Sequence, residues 1–204
     1  MKKIVIVLAV AAVAAGCATV ATETDYGKAA LALMKSDFKS KGPATVEGVL
    51  NQDEAQRLCS EYPTERPKEV AAKIEAEQLK QVKYPSDGKY LGNWQEGEKI
   101  AQSGRGMQSS DKIGSPNGGN CYACHQLTKA EISFGNIGPS LYQYGKIRGQ
   151  SEEMLKYTWG KIYNSQAFTA CSNMPRFGHK GILDEKQMKD VMALLLDPKS
   201  PVNN

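Results

Sequence analysis

Cys121, Cys124 and His125 form the pattern Cys-x-x-Cys-His, the stretch of this chain whose residue types and spacing specify a chemistry most clearly. Two thiols at this spacing can add to the vinyl groups of one haem, and the adjacent histidine is then delivered to the iron. A redox disulfide would need a thioredoxin context, and a zinc site would need a second pair of ligands. Neither follows in the sequence. The motif therefore predicts one covalently attached haem c.

A haem held by His125 needs a second axial ligand, and Met174 is the leading candidate. It lies 174 − 125 = 49 residues after His125, in a polar loop. Pro175 biases it toward an extended backbone, which can lay a thioether across the face of a flat cofactor. His179, the second of two histidines, is the alternative. Ligation by histidine and methionine marks cytochromes c and predicts electron transfer, because no position on the iron stays open for a gas or a peroxide.

The start of the chain predicts export from the cytoplasm. A basic start is followed by ten apolar residues from Ile4 to Val13, too few for a bilayer span of about twenty, so residues 1–16 are interpreted as a signal peptide. The residues before Cys17 resemble the end of a bacterial lipoprotein box, in which Cys17 would be acylated. An ordinary cleavage site at Ala12 to Ala14 is the alternative and would leave Cys17 as a spare thiol. Both interpretations place the protein in the periplasm.

Cys59 and Cys171 are left over once Cys17 and the haem cysteines have been assigned, and a disulfide between them is the expected use. Disulfides persist outside the cytoplasm. The bridge would close a separation of 171 − 59 = 112 residues, for which the chain-entropy model gives roughly 4–5 kcal/mol. Two unrelated buried thiols, or a pairing with a partner protein, are the alternatives.

Charge gives little information about partners beyond one exclusion. Removal of Lys2 and Lys3 with the signal peptide lowers the formal net charge from +4 to +2. The chain has no basic run interleaved with aromatic residues, so we expect no binding of nucleic acid.

A turn cluster from Tyr84 to Gly88 divides the mature chain into two unlike regions. Residues 17–83 are interpreted as an N-terminal extension, and residues 84–204 as a monohaem cytochrome c domain. The best helix of the extension runs from near Pro67 to about Val82. Its apolar stripe is thin, which is typical of a helix that lies on a surface. We therefore expect this region to be an arm.

The haem domain is predicted to be all-α, because no run alternates over the length of a strand. A short helix covers Trp94 to Gln102, and Gly97 within it lets another backbone approach closely. A haem helix is expected to open near Asn120. Ser151 can cap the next helix, and Asp184 begins a capping box ahead of the last one.

Several segments of this domain carry a resemblance to a known family. They are the run from Lys83 to Tyr90, Trp94 to Gly104, the haem motif, Gly135 to Gly145, and Asn173 to Gly178. Together they resemble SoxX, the monohaem cytochrome c subunit of the SoxAX complex of bacterial sulfur oxidation. The resemblance covers residues 83–197, and its last two segments are more specific than a generic cytochrome c requires.

The resemblance implies a periplasmic heterodimer with a SoxA-like cytochrome of one or two haems. SoxAX complexes are L-cysteine S-thiosulfotransferases, which couple thiosulfate oxidatively to a cysteine of the SoxYZ carrier protein. A SoxX-like haem would receive the two electrons and pass them to a small cytochrome c. The catalytic cysteine would lie on the partner, so we expect no catalytic residue in this chain. A free-standing monohaem carrier is the alternative, against which the long extension argues, since a shuttle needs only the haem domain.

Overall fold

The computed structural model describes residues 25–204. That part of the chain contains helices and loops but no β-strand, apart from one isolated bridge between Lys41 and Ala44. The all-α prediction is therefore confirmed. None of its helices is long and apolar enough to cross a membrane. The α-helices are α1 (Tyr26–Asp37), α2 (Val46–Leu50), α3 (Glu54–Glu61), α4 (Lys68–Leu79), α5 (Trp94–Gln102), α6 (Tyr144–Arg148), α7 (Glu152–Tyr163) and α8 (Glu185–Leu196).

Helix α1 belongs to a unit that ends at Lys39, separate from the compact unit of residues 40–204. The side chain of Asp25 caps it by accepting a hydrogen bond from Lys28 N. None of its residues is buried, and Tyr26, Leu33 and the following Phe38 are all exposed. The apolar side chains of α1 are therefore not buried by packing within residues 25–39.

Helices α5 and α8 pack closely against each other in the compact unit. A Cβ at Gly97 of α5 would lie 2.1 Å from the carbonyl oxygen of Asp190 on α8, so only glycine permits this approach. Just before α5, Asn93 N donates to Asp190 Oδ1 at 2.8 Å. The expected close approach at Gly97 is confirmed. Helix α8 contributes more buried residues to the main core than any other helix: Met188, Val191, Met192, Leu194, Leu195 and Leu196.

Three of the predicted helices have the expected caps or bounds. Helix α5 covers Trp94–Gln102 as predicted. Ser151 caps α7 by accepting from Met154 N, and Asp184 forms the capping box of α8. Trp159 of α7 is buried in the main core, and its indole N–H donates to Lys83 O at 2.8 Å. The start of the haem domain is thereby fastened to its core.

Residues 40–83 pack differently from the expected arm, because they share one compact unit with residues 84–204. Helix α4 ends at Leu79, earlier than predicted, and buries Ile74 and Gln78. Ile74 joins Ala55 and Leu58 in a small second core, against which Cys171 packs. The thin stripe is explained by the burial of one apolar and one polar side chain on α4. The pattern of apolar residues in the sequence does not reveal that a helix is buried partly through a polar side chain such as Gln78.

Candidate functional site

Cys121 begins a single turn of 3₁₀ helix, Cys121–Ala123, and Cys124 follows it as the C-cap. Asn120 begins this turn in the left-handed conformation, with φ of 47°. Cys124 N and His125 N both donate to Cys121 O, at 3.1 and 2.9 Å. Both thiols are unbridged. The turn therefore presents two free sulfurs and the histidine within five consecutive residues.

The segment before the turn is fastened to the end of α5. Gly119 N donates to Ile100 O at 2.8 Å, and Asn120 N donates to Ser103 O at 2.9 Å. A Cβ at Gly118 would lie 2.0 Å from Ser103 O, so the two backbones are in direct contact. Helix α5, which packs on α8, thus sets the position of both haem cysteines.

Burial raises the pKa of the Cys121 thiol to about 12, so this thiol is protonated at neutral pH. Redox-active cysteines have a lowered thiol pKa, the opposite of the shift at Cys121. In addition, residues 25–204 contain no group of three or more histidine, cysteine or acidic side chains that could hold a metal ion. The zinc and redox interpretations of the motif therefore gain no support from the structure.

His125 is held in one orientation by the loop that follows the motif. Its Nδ1 lies 2.7 Å from Pro139 O, and because a carbonyl can only accept, Nδ1 carries the proton. The other nitrogen, Nε2, is then the one with a free lone pair, as in metal-binding histidines oriented by a backbone carbonyl. A Cβ at Gly138 would lie 2.1 Å from His125 Cε1, so the backbone lies directly against the ring. These residues fit a covalent haem c, since a histidine with its Nε2 lone pair free adjoins two unbridged thiols.

Tyr122, inside the motif, anchors the turn in a way that sequence reasoning missed. Its buried hydroxyl donates to Glu98 Oε1 of α5 at 3.0 Å and lies 3.2 Å from Thr128 Oγ1. Gln102 Nε2 also donates to Glu98 Oε1, at 2.7 Å, whereas Glu98 Oε2 is buried without a partner. Burial raises the pKa of both Glu98 and Tyr122. The only sequence signal for this anchor was the tyrosine between the two haem cysteines. The sequence does not indicate that Glu98 accepts its hydrogen bond.

Met174 lies on a polar loop, as predicted, and is half-buried against the main core, which Cys121 and Leu141 also contact. Its backbone is held on both sides. Ser165 Oγ donates to Met174 O at 2.5 Å, and Met174 N donates to Ser172 Oγ at 3.2 Å. The backbone that carries Met174 is thus held next to the core against which Cys121 also packs.

His179, the alternative ligand, has a different environment. Its backbone N donates to Tyr163 O at 3.0 Å, and its side chain is half-buried. Burial lowers its pKa, and the neighbouring charges of Arg176 and Lys180 lower it further. Its ring is therefore neutral at pH 7, beside cationic side chains.

An ion-pair cluster joins the Met174 loop to Asp53. The Arg176 side chain is only 5% exposed and donates from Nη2 to Asp53 Oδ2 at 2.6 Å. Lys180 Nζ donates to the same oxygen at 2.8 Å. Burial alone would raise the pKa of Asp53, but hydrogen bonds from Lys180, Gln56 N and Arg176 outweigh it and lower the pKa to about 2. Asp53 is therefore ionised at all pH values near neutral.

The expected disulfide is present in the structure. Cys59 of α3 is bonded to Cys171 of the Met174 loop, with the Cα atoms 5.5 Å apart. Cys17 and the signal peptide of residues 1–16 lie outside the described residues, so lipidation and cleavage stay predictions.

Comparison with known proteins adds two findings. A family model described as "Cytochrome c" matches residues 95–198. A protein of Aquifex aeolicus (strain VF5), described as "Uncharacterized lipoprotein", is 37% identical over 167 residues, which are 81% of this chain and 79% of that protein. Residues 84–204 are 204 − 83 = 121 of 204 residues, so a match over 81% of the chain extends upstream of Tyr84. The likeness therefore includes part of the segment that precedes the haem domain.

Proposed function

The chain belongs to the cytochrome c family, and from this premise we propose that it is the electron-transfer haem c subunit of a SoxAX-like complex. Family membership implies a covalently bound haem c and electron transfer. The observation that carries this conclusion is the turn on which two unbridged thiols adjoin a histidine whose Nδ1 is held by Pro139 O.

Four side chains would hold the cofactor. Cys121 and Cys124 would form the two thioethers, and His125 and Met174 would take the axial positions of the iron. Iron with these two ligands gains and loses single electrons, and the methionine raises its reduction potential. The chain keeps both ligands in place through backbone carbonyls, since Pro139 O accepts from His125 and Met174 O accepts from a serine.

The SoxX-like assignment is supported by the two most specific segments of the resemblance. Gly138 and Pro139 of the first segment lie against the ring of His125, and the second segment contains Met174. Each segment therefore contacts or includes one of the two proposed axial ligands. The resemblance is strongest where the haem environment is built.

In the proposed reaction, the terminal sulfur of thiosulfate forms a disulfide bond with a cysteine thiol of a SoxYZ-like carrier. The thiol loses its proton, and the two sulfurs together lose two electrons. Because one haem accepts one electron at a time, each turnover requires two electron transfers through this chain to a small cytochrome c. The enzyme would be an L-cysteine S-thiosulfotransferase with its catalytic cysteine on a SoxA-like partner, so this chain would supply no catalytic residue.

Exposed apolar side chains support a role in a complex. Ile132, Phe134 and Ile137 are exposed on the loop that follows the attachment turn. Tyr26, Leu31 and Leu33 of α1 are exposed as well. Apolar side chains that cluster on a surface mark sites of protein interaction. Docking of the SoxA-like subunit beside the haem would bring the two cofactors close together.

We place the protein in the periplasm, anchored through an acylated Cys17. The sequence before Cys17 supports this placement, as does the description of the Aquifex relative as a lipoprotein. Thiol titration tests it, because the haem cysteines, the bridged pair and an acylated Cys17 leave no reactive thiol in denatured, unreduced mature protein. One reactive thiol would indicate ordinary cleavage with Cys17 free.

A free-standing carrier is the second candidate, favoured by one observation: all four haem-binding residues lie within residues 95–198, so the haem domain needs no other chain. Purification of the tagged protein from its native host separates the two candidates. The SoxAX-like proposal predicts a second haem-staining c-type cytochrome at one-to-one ratio, and reduction of this haem by thiosulfate only when a SoxYZ-like carrier is added. Elution of the chain alone, without thiosulfate-dependent reduction, would contradict it.

A further inference from the structure

We propose that α3 and α4, with the Asp53 cap of α3, form a clamp that positions Met174 as the axial ligand. The clamp spans residues 53–79, which precede the matched cytochrome c region of residues 95–198. On the Met174 loop itself, Arg176 is the positioning residue that the clamp binds. The inference rests on the proposed ligation of iron by Met174 and adds the device that holds that ligand in place.

The first contact of the clamp is the buried guanidinium of Arg176, two residues after Met174. Its Nη1 donates to Gln78 Oε1 at 2.9 Å, and its Nη2 donates to Asp53 Oδ2 at 2.6 Å. The Arg176 side chain is 5% exposed, so its bond to Gln78 is buried, whereas Asp53 is 32% exposed and the ion pair is only partly shielded from water. A buried arginine that loses its acceptors is strongly unfavourable. Movement of the loop away from the clamp would leave this charge unpaired.

The second contact joins the clamp to the segment that holds the carbonyl of Met174. Asn164 Nδ2 donates to Gln78 Oε1 at 3.0 Å, and the neighbouring Ser165 donates to Met174 O. Both Asn164 and Gln78 are buried. Gln78 Oε1 thus accepts from both sides of the Met174 loop, since Asn164 precedes the loop and Arg176 follows Met174.

The third contact holds the loop upstream of Met174. Cys171 is bonded to Cys59 of α3, and Ala170 N donates to Glu75 Oε1 of α4 at 2.9 Å. Met174 therefore lies between a disulfide three residues before it and the ion-paired Arg176 two residues after it.

The contacts of the clamp are concentrated on this one loop. Among the described residues, every hydrogen bond that joins residues 53–79 to residues 84–204 is made with residues 164–180. A layer that only covered the core would spread its contacts over several helices. The distribution instead indicates that the clamp restrains the segment that carries the proposed ligand, as a supporting shell does for a functional site.

Asp53→Asn in the full-length holoprotein is the sharpest test. Asp53 Oδ1 caps α3 by accepting from Gln56 N, a role that asparagine also fills, whereas the charge facing Arg176 and Lys180 is lost. The assay is the rate at which imidazole binds the ferric haem, since imidazole must displace Met174. We expect the rate to rise at least tenfold and the reduction potential to fall. Arg176→Leu should act in the same direction, and Arg176→Lys should restore part of the wild-type rate.

Two control variants separate positioning from general stability. Arg57→Ala removes an exposed arginine of α3 that pairs only with Glu54 and Glu61 among the described residues, and it should leave the imidazole rate unchanged. Val202→Ala opens the main core at the C-terminal end, so it should lower the denaturation midpoint without a comparable rise in the rate. An equal rise in Val202→Ala and Asp53→Asn at equal loss of stability would overturn the clamp.

Met174→Ala distinguishes failure of the clamp from failure of the proposed ligation. If that variant keeps the imidazole rate of wild type and any weak sulfur-to-iron charge-transfer band in its oxidised far-red spectrum, Met174 is not the ligand and the premise fails. If Met174→Ala changes both while Asp53→Asn changes neither, the ligation stands and the clamp is wrong.

Should Asp53→Asn give no holoprotein, wild type is reduced, alkylated at Cys59 and Cys171, and re-oxidised at the iron. The clamp then predicts faster imidazole binding, and an unchanged rate would refute it.

Discussion

Gly138→Ala is expected to disturb the proximal side of the haem site, because the new Cβ would lie 2.1 Å from His125 Cε1. An ordinary contact begins at 3.4 Å, so the ring or the loop must move by at least about 3.4 − 2.1 = 1.3 Å. Such a shift breaks the 2.7 Å contact between His125 Nδ1 and Pro139 O. The imidazole would then lose the group that fixes its orientation toward the iron.

Two effects set the magnitude of this change. Overpacking in a tight site costs about 1–3 kcal/mol, and the lost hydrogen bond adds about 0.5–1.5 kcal/mol. We therefore expect the free energy of unfolding to fall by roughly 1.5–4.5 kcal/mol, together with a changed Soret spectrum and reduction potential. Guanidinium unfolding of the holoprotein, followed by haem absorbance, measures the first quantity.

Gly104→Ala is the matched control for this substitution. Its Cβ would meet the Asn120 side chain at 3.4 Å, an ordinary contact, although it too lies beside the attachment turn. We expect it to leave the haem spectrum unchanged. A Gly138→Ala protein with the spectrum and stability of Gly104→Ala would refute the argument that the loop backbone orients His125.

Two further predictions concern stability. The double variant Cys59→Ser/Cys171→Ser should lower the free energy of unfolding by about 2–5 kcal/mol in chemical denaturation, and a loss below 1 kcal/mol would show that the bridge adds little. Burial raises the pKa of Glu98, so the folded state binds its proton more tightly than the unfolded state, and stability should decline as pH rises above the ordinary carboxyl pKa. Glu98→Gln should flatten this decline in unfolding curves measured from pH 4 to pH 8, and an equally steep decline in the variant would assign it to another group.

The parts of the fold that the sequence predicted are those determined by local signals. The caps at Ser151 and Asp184 satisfy backbone N–H groups within three residues of themselves, so their residue types mark the start of a helix without tertiary information. Gly97 is a similar case, because absence of a side chain inside a helix indicates a close neighbour. The haem motif is local as well.

The packing of residues 40–83 could not be predicted in the same way. The ion pair between Arg176 and Asp53 joins residues 123 positions apart, and the bond to Gln78 joins residues 98 positions apart. Polar pairs at such separations leave no periodic pattern in the sequence. The disulfide was predictable only by counting cysteines. Hydrophobic periodicity therefore predicted an extended arm. The structure instead packs residues 40–83 against residues 84–204, and the contacts include long-range polar pairs.

The haem turn opens at Asn120 as predicted, and its backbone shape could not be predicted. The contact of Gly118 with Ser103 and the left-handed conformation of Asn120 change the chain direction immediately before the cysteines. A 3₁₀ turn of three residues is enough to present both thiols. The motif specifies the sulfur positions and leaves the length of the helix open.

The central claim is that one covalent haem c has its iron held by His125 and Met174. It is tested most directly by intact mass and the oxidised far-red spectrum of wild type and Met174→Ala. The account predicts a mass increase of one haem in both proteins. It also predicts a weak sulfur-to-iron charge-transfer band that is present only in wild type, and a lower reduction potential in the variant. Absence of the haem mass would contradict attachment at Cys121 and Cys124. A band that survived in Met174→Ala would remove Met174 from the iron.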